Sequence, residues 1–261
     1  MNKRSLRALL AVIGVSAAST ALLAQAQQPR SDAGRAATPA RTADAGTRAT
    51  PTPRTGAPAD AGTGSARLTA DQVAAQIQAF YDRTRDVEAD FAQTYVNKLY
   101  NKTERSRGRV FFRKPGQMRW EYAQPSGNLI VSDGETMWVY EAEARQAYRR
   151  RVTDSELPTA LSFLTGTGRL ATDFTFRLLD ARRQNFPEGI VLELRPRRAN
   201  PHYDRLLFYV DPQTFQVRRT LIIDPQGNRN RFDFLRMRYN RGIPATRFRW
   251  NPPRGTRIIT P

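Results

Sequence analysis

An α+β fold, one wide antiparallel sheet curled around a few helices, follows from three features of the sequence. Short runs with apolar residues at every second position recur from Val87 almost to the C-terminus, the period of strands with one buried face. Turn residues such as Asp133-Gly134, Asp211-Pro212 and Asp224-Pro225-Gln226-Gly227-Asn228 punctuate the runs. Helical spacing is confined to a stretch near 70–83 and another near 155–164, little helix for about ten or eleven strands.

The chain begins with what reads as an export signal. Lys3, Arg4 and Arg7 precede an apolar run from Ala8 to Leu23, and Ala24-Gln25-Ala26 suits signal peptidase. This predicts a soluble periplasmic product, cut near Ala26. No other stretch approaches the roughly twenty apolar residues of a membrane helix. Residues 27–66 collapse to Ala, Thr, Pro, Gly, Arg and Asp, with Asp-Ala-Gly recurring at 32, 44 and 60. Almost nothing there could be buried to offset the entropy of ordering it, so it reads as a flexible linker. The folded domain is expected over 67–261.

Thr69-Ala70-Asp71-Gln72 fits a capping box, and Val73, Ile77 and Phe80 share one face of a helix over 70–83. Val87, Ala89, Phe91, Gln93 and Tyr95 then alternate as a half-buried strand, and the polar stretch from Asn97 to Ser106 reads as a loop. From Gly108 to Tyr140 the pattern is two linked hairpins, crowded with Met118, Trp120, Tyr122, Met137, Trp138 and Tyr140. Gln146 to Val152 reads as another strand. Ser155-Glu156-Leu157-Pro158 starts a short helix in which Leu157, Leu161 and Leu164 share a face; it is either a lid or a packed crossover. Runs from Phe174, Ile190, Leu206, Gln216 and Asn230 complete the sheet, and Ile243, Phe248 and Trp250 mark the tail.

Composition narrows the chemistry. With no cysteine there is no disulfide framework, no thiolate mechanism and no lipid-acceptor cysteine. The one histidine, His202, sits in a loop without clustered partners. Carboxylate pairs such as Glu141 with Glu143, or Asp180 with Glu188, fall in turns. Neither an enzyme nor a cofactor or metal site is predicted. Net charge is +18, and the eight Lys or Arg and three Asp of residues 1–66 leave +13 on the rest. That charge fits either an acidic partner or a solvated Arg-rich face. For an exported protein, nucleic acid is not the expected partner.

A curled sheet under so little helix leaves either an apolar pocket on its concave face or an ordinary core closed by the tail. Here the residues resemble a known family. Phe91-Ala92-Gln93, then Gly108-Arg109-Val110-Phe111-Phe112-Arg113-Lys114-Pro115-Gly116-Gln117-Met118-Arg119-Trp120, is similar to the LolA family of periplasmic lipoprotein carriers. Val131-Ser132-Asp133-Gly134 with Met137-Trp138-Val139-Tyr140 resembles its next hairpin. Ile243-Pro244 through Phe248-Arg249-Trp250-Asn251-Pro252-Pro253-Arg254-Gly255 resembles its closing strand and turn.

The resemblance implies an unclosed antiparallel β-barrel with a lid of short α-helices over a cavity that takes lipoprotein acyl chains. The cargo would come from an inner-membrane ABC transporter and pass to an outer-membrane receptor. A monomer, touching membranes only transiently, is expected. The family's basic residue before the proline of the Lys-Pro-Gly block holds the lid, which makes Lys114 the latch. Candidates to line the cavity are Phe91, Val110, Phe112, Met118, Trp120, Leu129, Val131, Trp138 and Tyr140 from the sheet, with Leu157, Leu161 and Leu164 from the lid. The alternatives are a LolA-like paralogue that carries or senses another lipid or glycolipid, and a basic exported module that binds polyanions.

Overall fold

The capping box predicted at Thr69 is formed. In the computed structural model, which describes residues 68–152 and 168–260, Gln72 N donates to Thr69 Oγ1 at 3.2 Å and Thr69 N donates to Gln72 Oε1 at 2.8 Å. Two orphan donors of the first turn are thereby satisfied, and helix α1 runs Ala70–Arg83. Its buried face is Val73, Ala74, Ile77 and Tyr81. The export signal 1–26, the linker 27–66 and the predicted helix with Leu157, Leu161 and Leu164 lie outside the described residues.

The strands follow as β1 (Asp86–Asn97), β2 (Lys102–Arg113), β3 (Gln117–Tyr122), β4 (Leu129–Asp133), β5 (Thr136–Glu141) and β6 (Gln146–Arg151). A short helix α2 (Leu170–Asp173) leads into β7 (Phe174–Leu179), β8 (Ile190–Pro196), β9 (Arg205–Val210), β10 (Val217–Ile223) and β11 (Arg229–Tyr239). A 3-10 turn (Ala245–Phe248) precedes β12 (Arg257–Ile259). They form one 12-stranded sheet in the order β12-β6-β5-β4-β3-β2-β1-β11-β10-β9-β8-β7. Every neighbouring pair is antiparallel except β12 with β6, which is parallel. The two ends, β12 and β7, are different strands, so the sheet is unclosed, as the fold class predicts.

The sheet is also curled. Trp120 on β3 and Phe232 on β11 are separated by β2 and β1, about 14 Å at three strand spacings in a flat sheet. Their ring centroids are 5.2 Å apart. Such an approach requires the inner side chains to converge across a concave surface. That surface holds the main apolar cluster, with α1 packed against it.

Three sequence expectations are corrected. Residues 102–106 are strand rather than loop, because β2 keeps its ladder with β1 out to Asn97↔Lys102. The backbone pairing persists there although charged side chains erase the apolar alternation. The closing strand is β12, beyond Gly255; Trp250 lies in irregular chain that crosses the convex face. Glu141 is not an exposed turn residue: it ends β5, only 7% exposed, bonded to Tyr148, with burial raising its carboxyl pKa.

Candidate functional site

The concave face is built around Trp120. Phe91 meets its edge at 5.0 Å between centroids, Phe112 at 5.7 Å, Phe232 at 5.2 Å and Phe234 at 6.4 Å. Strand pairing explains the convergence, since Val110 lies opposite Trp120 and Phe112 opposite Met118. Phe91 is possible only because its partner across the ladder is Gly108. A Cβ on Gly108 would fall 2.0 Å from the Glu121 carbonyl oxygen and 2.8 Å from the Phe91 ring. The glycine therefore clears the space the ring occupies.

Of the sheet residues predicted for the cavity, Phe91, Val110, Phe112, Met118 and Trp120 are brought together here, each 3% exposed or less. Leu129, Val131, Trp138 and Tyr140 are not. Trp120 pairs with Ile130, and Ile130 with Val139, so these with Met137 supply the concave face of β4 and β5. The four predicted residues point to the convex side, where Trp250 packs against Trp138 at 5.6 Å and Tyr140 at 5.2 Å. The sequence pattern predicts the internal register of the β4–β5 hairpin correctly but places it one residue out of phase with β3, and a one-residue slip turns every side chain over. Phase was hidden because β4 is buried on both faces over Leu129–Ser132. Phe232 and Phe234 were also missed as members of this group. Their alternation with Arg231, Asp233 and Leu235 was the available signal.

The upper end of the face is covered by α1. Between helix and sheet, the space bounded by Tyr81, Val87, Ala89, Val110, Phe112, Val217, Phe234 and Met237 measures about 10 Å³. That is near the size of a single water probe, so this space is closed to anything larger while the helix is seated. The cover is pinned at Tyr81. Its carbonyl, which already accepts from the C-cap Thr84 N at 3.0 Å, also accepts from Lys114 Nζ at 2.5 Å. Its hydroxyl accepts from Val217 N at 3.2 Å. Burial pushes the Tyr81 phenol up to about 12. Burial also lowers the Lys114 pKa, while nearby Asp82 opposes that shift. A primary amine donates to the carbonyl either way.

A family model described as outer membrane lipoprotein carrier protein LolA matches residues 82–251. The chain belongs to the LolA family. Outer-membrane lipoprotein carrier proteins from Chromobacterium violaceum and Nitrosospira multiformis are each 28% identical to it, over 187 and 184 residues. These alignments cover 71% and 70% of this chain and 86% of each relative. A crystal structure of a LolA superfamily protein from Nitrosomonas europaea aligns over 70% of this chain and 98% of that one, at 14% identity and a TM-score of 0.41. The LolA match takes in the Phe91 strand, the Lys114 turn and the Trp120 strand, from which the concave face is made; α1 before Asp82 lies outside it. Among the described residues no group of three His, Cys, Asp or Glu side chains is placed to hold a metal ion.

Proposed function

We propose that this LolA-family chain is a periplasmic carrier that shields lipoprotein acyl chains against the concave face around Trp120. On this reading it takes cargo from an inner-membrane ABC transporter and delivers it to an outer-membrane receptor. The supporting observation is an apolar face of Met and aromatic side chains under a helix whose last turn is held by the Lys114 amine.

The energetics fit a carrier. Each CH₂ removed from water contributes about 0.8 kcal/mol, so acyl chains need a shield while crossing an aqueous space. A carrier must also let go. In the closed state the last turn of α1 covers part of that apolar surface, so binding exchanges one apolar contact for another and the net affinity stays moderate. Unbranched Met118 and Met137 and the edge-to-face rings can repack around chains of varied shape. Lys114 then sets how readily the cover lifts.

Lys114→Met tests the latch. Losing the bond to Tyr81 O costs the closed state about 1 kcal/mol, which raises affinity for a fluorescent fatty acid about fivefold. Trp138→Ala, on the convex face, leaves that affinity unchanged. If the Lys114 variant binds no better than the parent, the latch is refuted; if neither takes up the acyl probe, the carrier reading falls.

A further inference from the structure

At the end of the sheet remote from Lys114, β2 outruns its neighbour. β3 stops at Tyr122, opposite Gly108, while β2 continues back to Lys102 in register with β1. Ala123 N donates to Arg107 O at 2.9 Å and closes the seam between them. Ladder alternation then directs the N–H and C=O of Arg105 and Thr103 to the side where β3 has ended. Alongside lies a groove of about 710 Å³ whose lining includes Tyr95, Tyr122, Gln124 and Asn128, with Arg105, Arg107 and the ion-paired Lys102 and Glu104 from the β2 edge.

Several arginines elsewhere on the convex surface share carboxylates. Asp90 is shared by Arg109 and Arg236, Asp233 by Arg219 and Arg231, and Glu193 by Arg177, Arg195 and Arg205. Arg105 and Arg107 are exposed, and neither has a carboxylate partner among the described residues. An edge whose backbone groups and two guanidinium groups have no partner among the described residues, beside a groove, is a template for one more strand.

We propose that the β2 edge from Thr103 to Arg107 binds an extended acidic polypeptide segment by strand addition. At about 3.3 Å per residue, the edge takes four or five residues. Asp or Glu at alternate positions would face Arg105 and Arg107, and the intervening side chains would lie in the groove over Tyr122. A phosphate-rich polymer satisfies the arginines but offers no regular donors to the Thr103 and Arg105 carbonyls. A second copy of the same edge would bring like charges together. The proposal stands apart from what the concave face carries.

The test uses the full chain and a fluorescent peptide of about eight residues alternating Glu and Val, against the same peptide with Lys for Glu. Fluorescence anisotropy should show binding of the acidic peptide that weakens with salt, and none of the basic one. The Arg105 N–H points away from β1, so Arg105→Pro spares the β1 ladder, as edge prolines do. It should weaken binding about tenfold, and R105E/R107E should abolish it. In the parent protein the Thr103 and Arg105 amides should exchange with solvent quickly alone and slowly with peptide. Absence of binding, or binding without slowed exchange of those amides, overturns the proposal. So does an Arg105→Pro protein that binds as well as the parent while the charge-reversed one does not, since that marks plain surface charge.

Discussion

The two halves of the sheet fill the same concave surface with different kinds of side chain. On β1 to β5 it is Phe91, Phe112, Met118, Trp120 and Met137; on β8 to β10 it is Leu192, Leu194, Leu206, Phe208, Val210 and Val217. Branched aliphatic chains have few rotamers and interlock at crystal-like density, whereas thioethers and edge-to-face rings tolerate displacement. Helix α1 is seated on the aliphatic half: it packs on α2, β7 and β8, and Gln78 Oε1 accepts from Leu170 N at 3.0 Å. Only its last turn reaches over to the aromatic half, through Lys114. The contrast teaches a division of labour. On the proposed carrier reading, one half holds the helix and the other supplies the surface that yields when the helix lifts.

The largest expected effect belongs to the half that holds. Phe208 is fully buried on β9, among neighbours that cannot collapse into a void, so Phe208→Ala should cost about 3–5 kcal/mol in urea unfolding. A loss below about 1 kcal/mol would show the aliphatic half to be as compliant as the aromatic one. Next comes pH, through the residue that joins the halves. The Tyr81 phenol stands at about 12 in the folded protein against an ordinary 10.0. Above pH 10 the unfolded chain releases a proton that the folded chain keeps. Stability from this group is therefore whole below pH 10 and falls as pH rises to 12, by about 2–3 kcal/mol. Lys114, whose lowered pKa favours stability at higher pH, is partly exposed and opposes the trend only weakly. Burial raises Tyr122 and Tyr239 as well, so Tyr81→Phe should make the decline between pH 10 and 12 shallower without abolishing it; an unchanged slope would place its origin elsewhere.

How much of this was legible depended on which signals are local. The capping box at Thr69, the alternation from Val87 to Tyr95 and the Asp133-Gly134 turn each fix structure within a few residues, and α1, β1 and the β4–β5 hairpin lie where the sequence puts them. The phase of β4–β5 relative to β3 passes through the chain from Ala123 to Asn128, which no local pattern constrains. Leu129 and Val131 are as apolar as Ile130, so either face could have been the inner one. The charged end of β2 was invisible because its strand state is imposed by pairing with β1 rather than by burial. Of the candidate site, Lys114 was singled out through family resemblance alone, as latch of the predicted lid with Leu157, Leu161 and Leu164, which lies outside the described residues; the acceptor seen here, the Tyr81 carbonyl of α1, is a backbone atom that no residue pattern announces.

Met118 gives the smallest stability effect and the sharpest test of the yielding half. It is 1% exposed and sits opposite Phe112, beside the Trp120 cluster. Met118→Leu conserves volume, so unfolding free energy should change by less than about 1.5 kcal/mol. What it removes is adaptability, because leucine is branched and has fewer shapes with which to fill a remodelled face. If the aromatic half binds acyl chains by repacking, fluorescent fatty-acid affinity should drop several-fold while thermal stability holds. The matched change on the other half, Leu194→Met, should leave acyl affinity where it was. Equal effects on affinity from both changes would dissolve the distinction between the halves, and with it the idea that only one of them moves.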